Sequence, residues 1–327
     1  MITRLFSALL MVASAAGSSD AQTAAFNDGW PSKPIKFIVP FPPGSSTDVV
    51  ARIVAQVLSP HIGQPFVIEN RVGASGMIGA EAVARAEPDG YTMGIATTST
   101  HALASSLSAN LRYHPLRDFA PVSMIGSSPY VMVTYPRLGA KTVHEFIALA
   151  KEKRGKLSFG SAGPGSLAHL AGVLFSNIIG AQLIHVPYKS SAQSVTDLMT
   201  GRLDMQFATV PPTLPLIRSG QMQSLATTGG KRSAVLPELP TIAEAGLPGY
   251  EAVLWMAIVM PAAVPQPIIA RLNRELVKAL SNSEVEAALR AQGMDMETST
   301  PDALRYRIAN DVEKWRLIVA QAGIEPE

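Results

Sequence analysis

Cysteine is absent from the 327 residues, which removes disulfides, thiolate nucleophiles, iron–sulfur clusters, cysteine-ligated zinc and a lipidated N-terminal cysteine. Aromatic residues make up 6% of the chain, too few for a broad sugar-stacking surface. Charge of either sign is scarce. Lys+Arg at 27 against Asp+Glu at 25 leaves +2, so no basic stripe follows a nucleic-acid backbone and nucleic acid is excluded as a partner. After the first twenty residues no apolar run is long enough to cross a bilayer, and the longest, 253–263, runs into Pro265 and Pro267. Neither a G-x-S-x-G elbow nor an H-E-x-x-H pair occurs, and the histidines are scattered, so no metal site and no cofactor are expected.

What is present begins with an export signal. Arg4 precedes an apolar run over 5–16 and small residues follow, with Ser19 and Ala21 placed for a cut before Gln22. Residues 1–21 therefore read as a signal peptide, and the mature protein is expected in the periplasm. At roughly 150 residues per domain the length suggests two domains. Strand signals recur at 35–39, 92–96, 130–134, 156–159, 184–186, 203–207, 225–228 and 253–259, with amphipathic helical spacing between them. Such alternation predicts an α/β architecture with mostly parallel sheets. The last helix is the best marked: Thr300 caps it, Pro301 sits in its first turn, Leu304, Ile308, Trp315 and Val319 share a face, and Gly323 stops it.

Two strand–loop–helix units suit an anion. In the first, Phe41, Pro42, Gly44, Ser45, Ser46, Thr47 and Asp48 follow a strand and open a helix, with Ser45 and Asp48 spaced as a capping box. In the second, Ser161, Ala162, Gly165, Ser166 and His169 do the same. Gly160 and Gly165 have the outer spacing of a phosphate loop, but Ser166 stands where its lysine belongs, which excludes a nucleotide triphosphatase. Pro164 interrupts the dinucleotide-like spacing of Gly163, Gly165 and Ala168, and no acidic residue ends the next strand region. Two helix starts facing one another across a cleft suit a small carboxylate held by N–H groups and hydroxyls, since neither loop contains lysine or arginine. Thr98, Ser99, Lys189 and Asp204, each close to a strand end, complete the candidate contacts. A hydrolase pairing His169 with a nearby serine is the alternative of a different class.

Pro40-Phe41-Pro42-Pro43-Gly44 with Thr47-Asp48, Glu69-Asn70-Arg71, Pro88-Asp89-Gly90-Tyr91, Gly160-Ser161-Ala162-Gly163, His185-Val186-Pro187-Tyr188-Lys189 and Pro248-Gly249-Tyr250-Glu251 run in order along the chain. In this the sequence resembles the Bug family, the extracytoplasmic solute receptors of tripartite tricarboxylate transporters. The resemblance implies a two-lobe type II periplasmic-binding-protein fold, with residues 30–127 plus 252–327 forming one lobe and 128–251 the other. It further implies carboxylate held by the loops 41–48 and 161–166, delivery to a membrane permease, a monomer, and no catalysis. A ligand sensor for a signalling partner is the variant of this reading. Ser45, Ser75 and Ser190-Ser191 stand where the family usually has glycine, and each adds a side chain near the expected pocket.

Overall fold

A computed structural model describes residues 29–188 and 191–326. The signal-peptide reading and Lys189 lie outside them. The first half contains β1 (Ile35–Val39), α1 (Ser46–Ile62), β2 (Phe66–Asn70), α2 (Met77–Ala84), β3 (Thr92–Thr97), α3 (Ala104–Leu107), β4 (Phe119–Thr134), α4 (Val143–Lys153) and β5 (Ser158–Ser161). The second contains α5 (Leu167–Ile179), β6 (Ile184–Pro187), α6 (Ser191–Met199), β7 (Met205–Thr209), α7 (Val210–Arg218), β8 (Gln223–Thr227), β9 (Val253–Pro261), α8 (Gln266–Leu280), α9 (Ser283–Ala291), β10 (Asp295–Met296) and α10 (Pro301–Gln321).

Parallel strands β2, β1 and β3 form the outer part of one sheet, and β5 lies parallel to both β6 and β7 in the other. The join between them is antiparallel. β9 runs against β3 and β4, and β4 runs against β7 and β8. β4 changes partners in mid-strand: Pro129 is the last residue paired with β9, opposite Val253, and Tyr130 opposite Thr209 begins the pairing with β7. The sequence signal at 130–134 thus marked the second part of one 16-residue strand. Pro121 and the Gly126–Pro129 stretch hid the rest, because Pro and Gly weaken a strand signal and belong where pairing shifts; bulges interrupt this ladder after Pro121 and Met124.

Each half has its own core. Ile35, Phe37, Val50, Val54, Leu58, Met93 and Leu272 pack together around β1 and β3. Phe146, Phe159, Phe175, Phe207 and Tyr250 belong to a cluster that continues through Trp255 to Trp315, Ile318 and Val319 of α10. That helix touches the turn after β3, β4 and α5, so it braces both halves and not one domain from outside. Full burial of Trp315, Ile318 and Val319 contributes at about 1.5–3 kcal/mol for an aliphatic side chain. The Trp255 Nε1–H also donates to Asp311 at 2.7 Å.

Candidate functional site

The carboxyl ends of β1, β2 and β3 carry three loops on one lobe, and the end of β5 carries the facing loop on the other. At the first, Ser45 caps α1 by accepting the Asp48 N–H at 3.3 Å. The Asp48 carboxylate is buried and accepts from Gly44 N at 2.9 Å, Asn70 Nδ2 at 2.9 Å and both Arg52 nitrogens at 2.9 and 3.1 Å. The Arg52 hydrogen bond is the main reason its carboxyl is held down at about 2. Asp48 is therefore a fastening for the loop, with its oxygens occupied from within. Asn70 also donates to Phe41 O at 2.9 Å. What the helix start leaves open are the N–H groups of Ser46 and Thr47, which have no intrahelical acceptor.

Beyond β2 the chain enters a 3-10 turn, Ala74–Gly76, in which Ala74 and Ser75 take φ of 46° and 53°. Left-handed non-glycine residues cost on the order of 1–3 kcal/mol each and concentrate at binding sites. Packing holds this turn in place: a Cβ on Gly76 would lie 2.8 Å from the Thr100 methyl and 3.2 Å from the Phe41 ring. After β3, Thr98 is fully buried and ties β3 to β9, donating to Val253 O at 3.2 Å and accepting from Trp255 N at 2.8 Å. Ser99, the next residue, is half-buried.

On the facing lobe, Ser166 caps α5 by accepting the His169 N–H at 3.3 Å. Gly165 adopts φ +71°, and its N–H donates to His169 Nδ1 at 3.3 Å. Ser161 is buried, accepts from Gly163 N at 3.1 Å and lies 2.7 Å from His185 Nε2. The His169 and His185 rings stack with centroids 3.8 Å apart. Burial lowers both imidazoles, His185 to about 4 with the neighbouring ring adding to the effect.

Between the lobes lies a cavity of about 590 Å³. Ser75, Met77, Ser99 and Leu107 form one wall, Ala162, Gly165 and Ser166 the other, with Ile324 and Glu325 at a margin. Among the described residues no lysine or arginine lines it, and Glu325 is its one charged residue. Four sequence candidates thus meet here: Ser99, Ala162, Gly165 and Ser166. Phe41, Pro42, Gly44, Ser45, Ser46, Thr47 and Asp48 do not line this cavity; their loop adjoins it through Phe41 and the 74–76 turn. Thr98, Ser161 and His169 stand behind the walls. Asp204 is displaced furthest: its carboxylate accepts from Ser158 N and Oγ at 2.8 and 2.9 Å, at the amino end of β5, whereas the ligand loop leaves the carboxyl end. Strand direction is the reason, since Asp204 precedes β7, which runs parallel to β5.

Sequence reasoning missed Leu107 and His185. An amphipathic leucine reads as core, and only the fold carries it to within 3.3 Å of where a Gly165 Cβ would stand. In the nearest serine–histidine pair, Ser161 is buried and His185 half-buried, and neither ring nitrogen of His185 has a carboxylate partner among the described residues, so the hydrolase alternative gains no geometry.

The profile of the family described as tripartite tricarboxylate transporter family receptor matches residues 50–324. The chain belongs to this family. Among its receptors, the protein BugT of Bordetella pertussis is 38% identical over 323 residues, covering 98% of each chain. The solved structure of Rpa4515 of R. palustris with adipate is 35% identical, covers 91% of this chain and 100% of that one, and superposes with a TM-score of 0.73. A ligand-free TctC solute-binding protein from Polaromonas is 25% identical, covers 89% and 99%, and superposes at 0.82. The two-lobe fold and the solute-receptor class are those of the family, whose characterised neighbours are binding proteins and not enzymes.

Proposed function

We propose that this receptor is exported to the periplasm, closes its lobes on a small carboxylate and passes it as a monomer to the membrane permease of a tripartite tricarboxylate transporter, without chemistry. The observation that carries the ligand class is the cavity wall: hydroxyls of Ser75, Ser99 and Ser166, the open N–H group of Leu167 at the start of α5, and no cationic side chain among the described residues. A helix start supplies partial positive charge and donors together, which favours a carboxylate over a neutral solute. The adipate carried by the R. palustris relative supports the same class.

The lobes are residues 30–127 plus 252–327 and residues 128–251, a division supported by the partner change of β4 at Pro129 and Tyr130 and by the start of β9 at Val253. On closure the loop 41–48 moves toward the cavity and adds the Ser46 and Thr47 N–H groups. Calorimetry of the mature protein with adipate, malate and citrate, each against its full amide, is the test. Binding of one acid and loss of that binding in its amide is expected; amides that bind as tightly as the acids overturn the reading.

A further inference from the structure

We propose that His169 and His185 are positioning residues: a stacked pair of neutral imidazoles, each using one bare ring nitrogen as an acceptor, holds the loop 161–166 in the shape that presents its N–H groups to the cavity. The inference deepens the carboxylate reading and rests on it for the loop's purpose, but not for the loop's geometry.

Counting protons gives the tautomers. The Gly163 carbonyl already receives Ser166 Oγ at 2.7 Å and Ser166 N at 3.3 Å, which use its two lone pairs. The single Ser161 hydroxyl proton therefore goes to the shorter contact, His185 Nε2 at 2.7 Å, rather than to Gly163 O at 3.1 Å. His185 then carries its proton on Nδ1. His169 accepts the Gly165 N–H at Nδ1, so its own proton is on Nε2. Each ring thus holds one end of the loop, His185 through Ser161 and Gly163 and His169 through Gly165, while the 3.8 Å stack and the Phe159 ring, 5.1 Å from His185, fix both planes. A second proton on either ring removes an acceptor that the loop uses and sets a charge against its neighbour. Neutrality is thus a structural requirement, in agreement with the burial that disfavours both charged forms. Among the described residues, the other titratable groups on the elements around the pair have partners or stand apart. Asp204 binds Ser158 at the far end of β5, Tyr188 binds Asp197 of α6, whose carboxylate also holds Arg202, and Glu325 lies at the cavity margin.

The test combines a ligand-free and a ligand-dependent readout on the mature chain. Nitrogen-15 spectra of labelled histidine at pH 7.5 are expected to show His185 in the Nδ1–H form and His169 in the Nε2–H form. In amide exchange, His169→Phe and His185→Phe, which keep a ring and lose the acceptor, are expected to speed exchange across 161–168 at least tenfold. His169→Asn and His185→Gln, whose amide oxygens reach the Nδ1 and Nε2 positions, are expected to restore most of the protection. Adipate affinity is expected to fall about tenfold in the Phe variants and recover in the amide ones. The opposite tautomer in either ring, or unchanged exchange in both Phe variants, overturns the proposal even if those proteins are destabilised elsewhere. Failure of wild type to bind adipate, malate and citrate removes only the carboxylate reading, because tautomers and exchange still decide the loop's support.

Discussion

The loops 41–48 and 161–166 are built to one plan and fastened by opposite chemistry. Both leave a strand, reverse through a left-handed glycine and start a helix whose serine cap accepts the N–H three residues on. The first is fastened by a carboxylate, Asp48, which gathers a backbone N–H, an amide and a guanidinium. The second is fastened by two neutral rings. A charged fastening tolerates exposure, because ion-pair partners such as Arg52 can stay half in water. Neutral imidazoles suit the wall of a cavity that must accept an anion with no competing cation beside it. The difference separates a rim from a wall.

Breaking the charged fastening should have the largest effect. Asp48→Ala takes the acceptor from the Gly44 N–H and from one of the two Asn70 amide N–H groups, the other keeping Phe41 O. Hydrogen bonds to a charged group contribute about 1.5–3 kcal/mol each, and water takes up part of the loss at the exposed Gly44, so a loss of roughly 2–4 kcal/mol is expected, with little from the exposed Arg52 itself. Denaturant unfolding of Asp48→Ala against Asp48→Asn, which keeps one acceptor oxygen, measures it. A loss under about 0.5 kcal/mol in Asp48→Ala, smaller than one hydrogen bond to a carboxylate contributes, breaks the comparison.

Next in size is a substitution placed at the glycine of each loop. Gly44 and Gly165 have φ of +79° and +71°, but a Cβ meets nothing within 4 Å at Gly44 and meets Leu107 at 3.3 Å at Gly165. Valine at either site should cost about 1–3 kcal/mol in backbone strain. Only Gly165→Val should also lose ligand affinity, because it pushes the wall against Leu107 of the other lobe. Adding Leu107→Ala should recover part of that binding and none of the strain. Equal affinity losses at the two glycines would place both loops in the wall.

These pairs show what was legible in the sequence. A capping signal found the first helix start, Ser45, because a cap is a local arrangement of hydroxyl and N–H, and the second was found from its glycine-rich loop and amphipathic spacing. The α/β alternation and the α10 face at Leu304, Ile308, Trp315 and Val319 were legible for the same reason, since periodicity is local. Whether Asp48 and Asp204 face ligand or protein was not, because their partners Asn70 and Ser158 lie 22 and 46 residues away. Leu107 reads as one more apolar helix residue until the lobes place it opposite Gly165.

Acidity should separate the fastenings without any substitution. His185 falls from an ordinary 6.5 to about 4 on folding, so the unfolded chain binds more protons between those values. Its contribution is whole above pH 6.5 and declines as pH falls toward 4. Asp48 falls from 3.8 to about 2, so its contribution is whole above 3.8 and is lost toward 2. Exchange at 161–168 should therefore accelerate one pH window earlier than at 41–48. His101, buried and lowered to about 3, adds to global destabilisation in both windows, so His185→Gln is the control. It should shrink the early phase at 161–168, and adding His169→Asn should abolish it there alone, because burial lowers that imidazole too. Simultaneous loss of protection in both loops counts against separate fastenings.

The smallest effect compares the two caps. Ser45→Ala and Ser166→Ala each remove an acceptor for one first-turn N–H, Asp48 N and His169 N respectively, at the same 3.3 Å. The stability cost should be alike, about 1 kcal/mol. Binding should not be alike. Ser166 lines the cavity and Ser45 does not, so loss of a neutral hydrogen bond worth roughly 0.5–1.5 kcal/mol should weaken ligand about threefold to tenfold in Ser166→Ala only. The hydroxyl proton of Ser166 is already given to Gly163 O, so in binding it acts by fixing that carbonyl and the turn above it, and the loss belongs at the lower end of the range. Calorimetry on both variants, read beside their melting midpoints, separates the cap from the contact. A threefold loss in Ser45→Ala as well would mean that the Ser45 cap also fixes the Ser46 and Thr47 N–H groups that the rim loop brings to the ligand on closure.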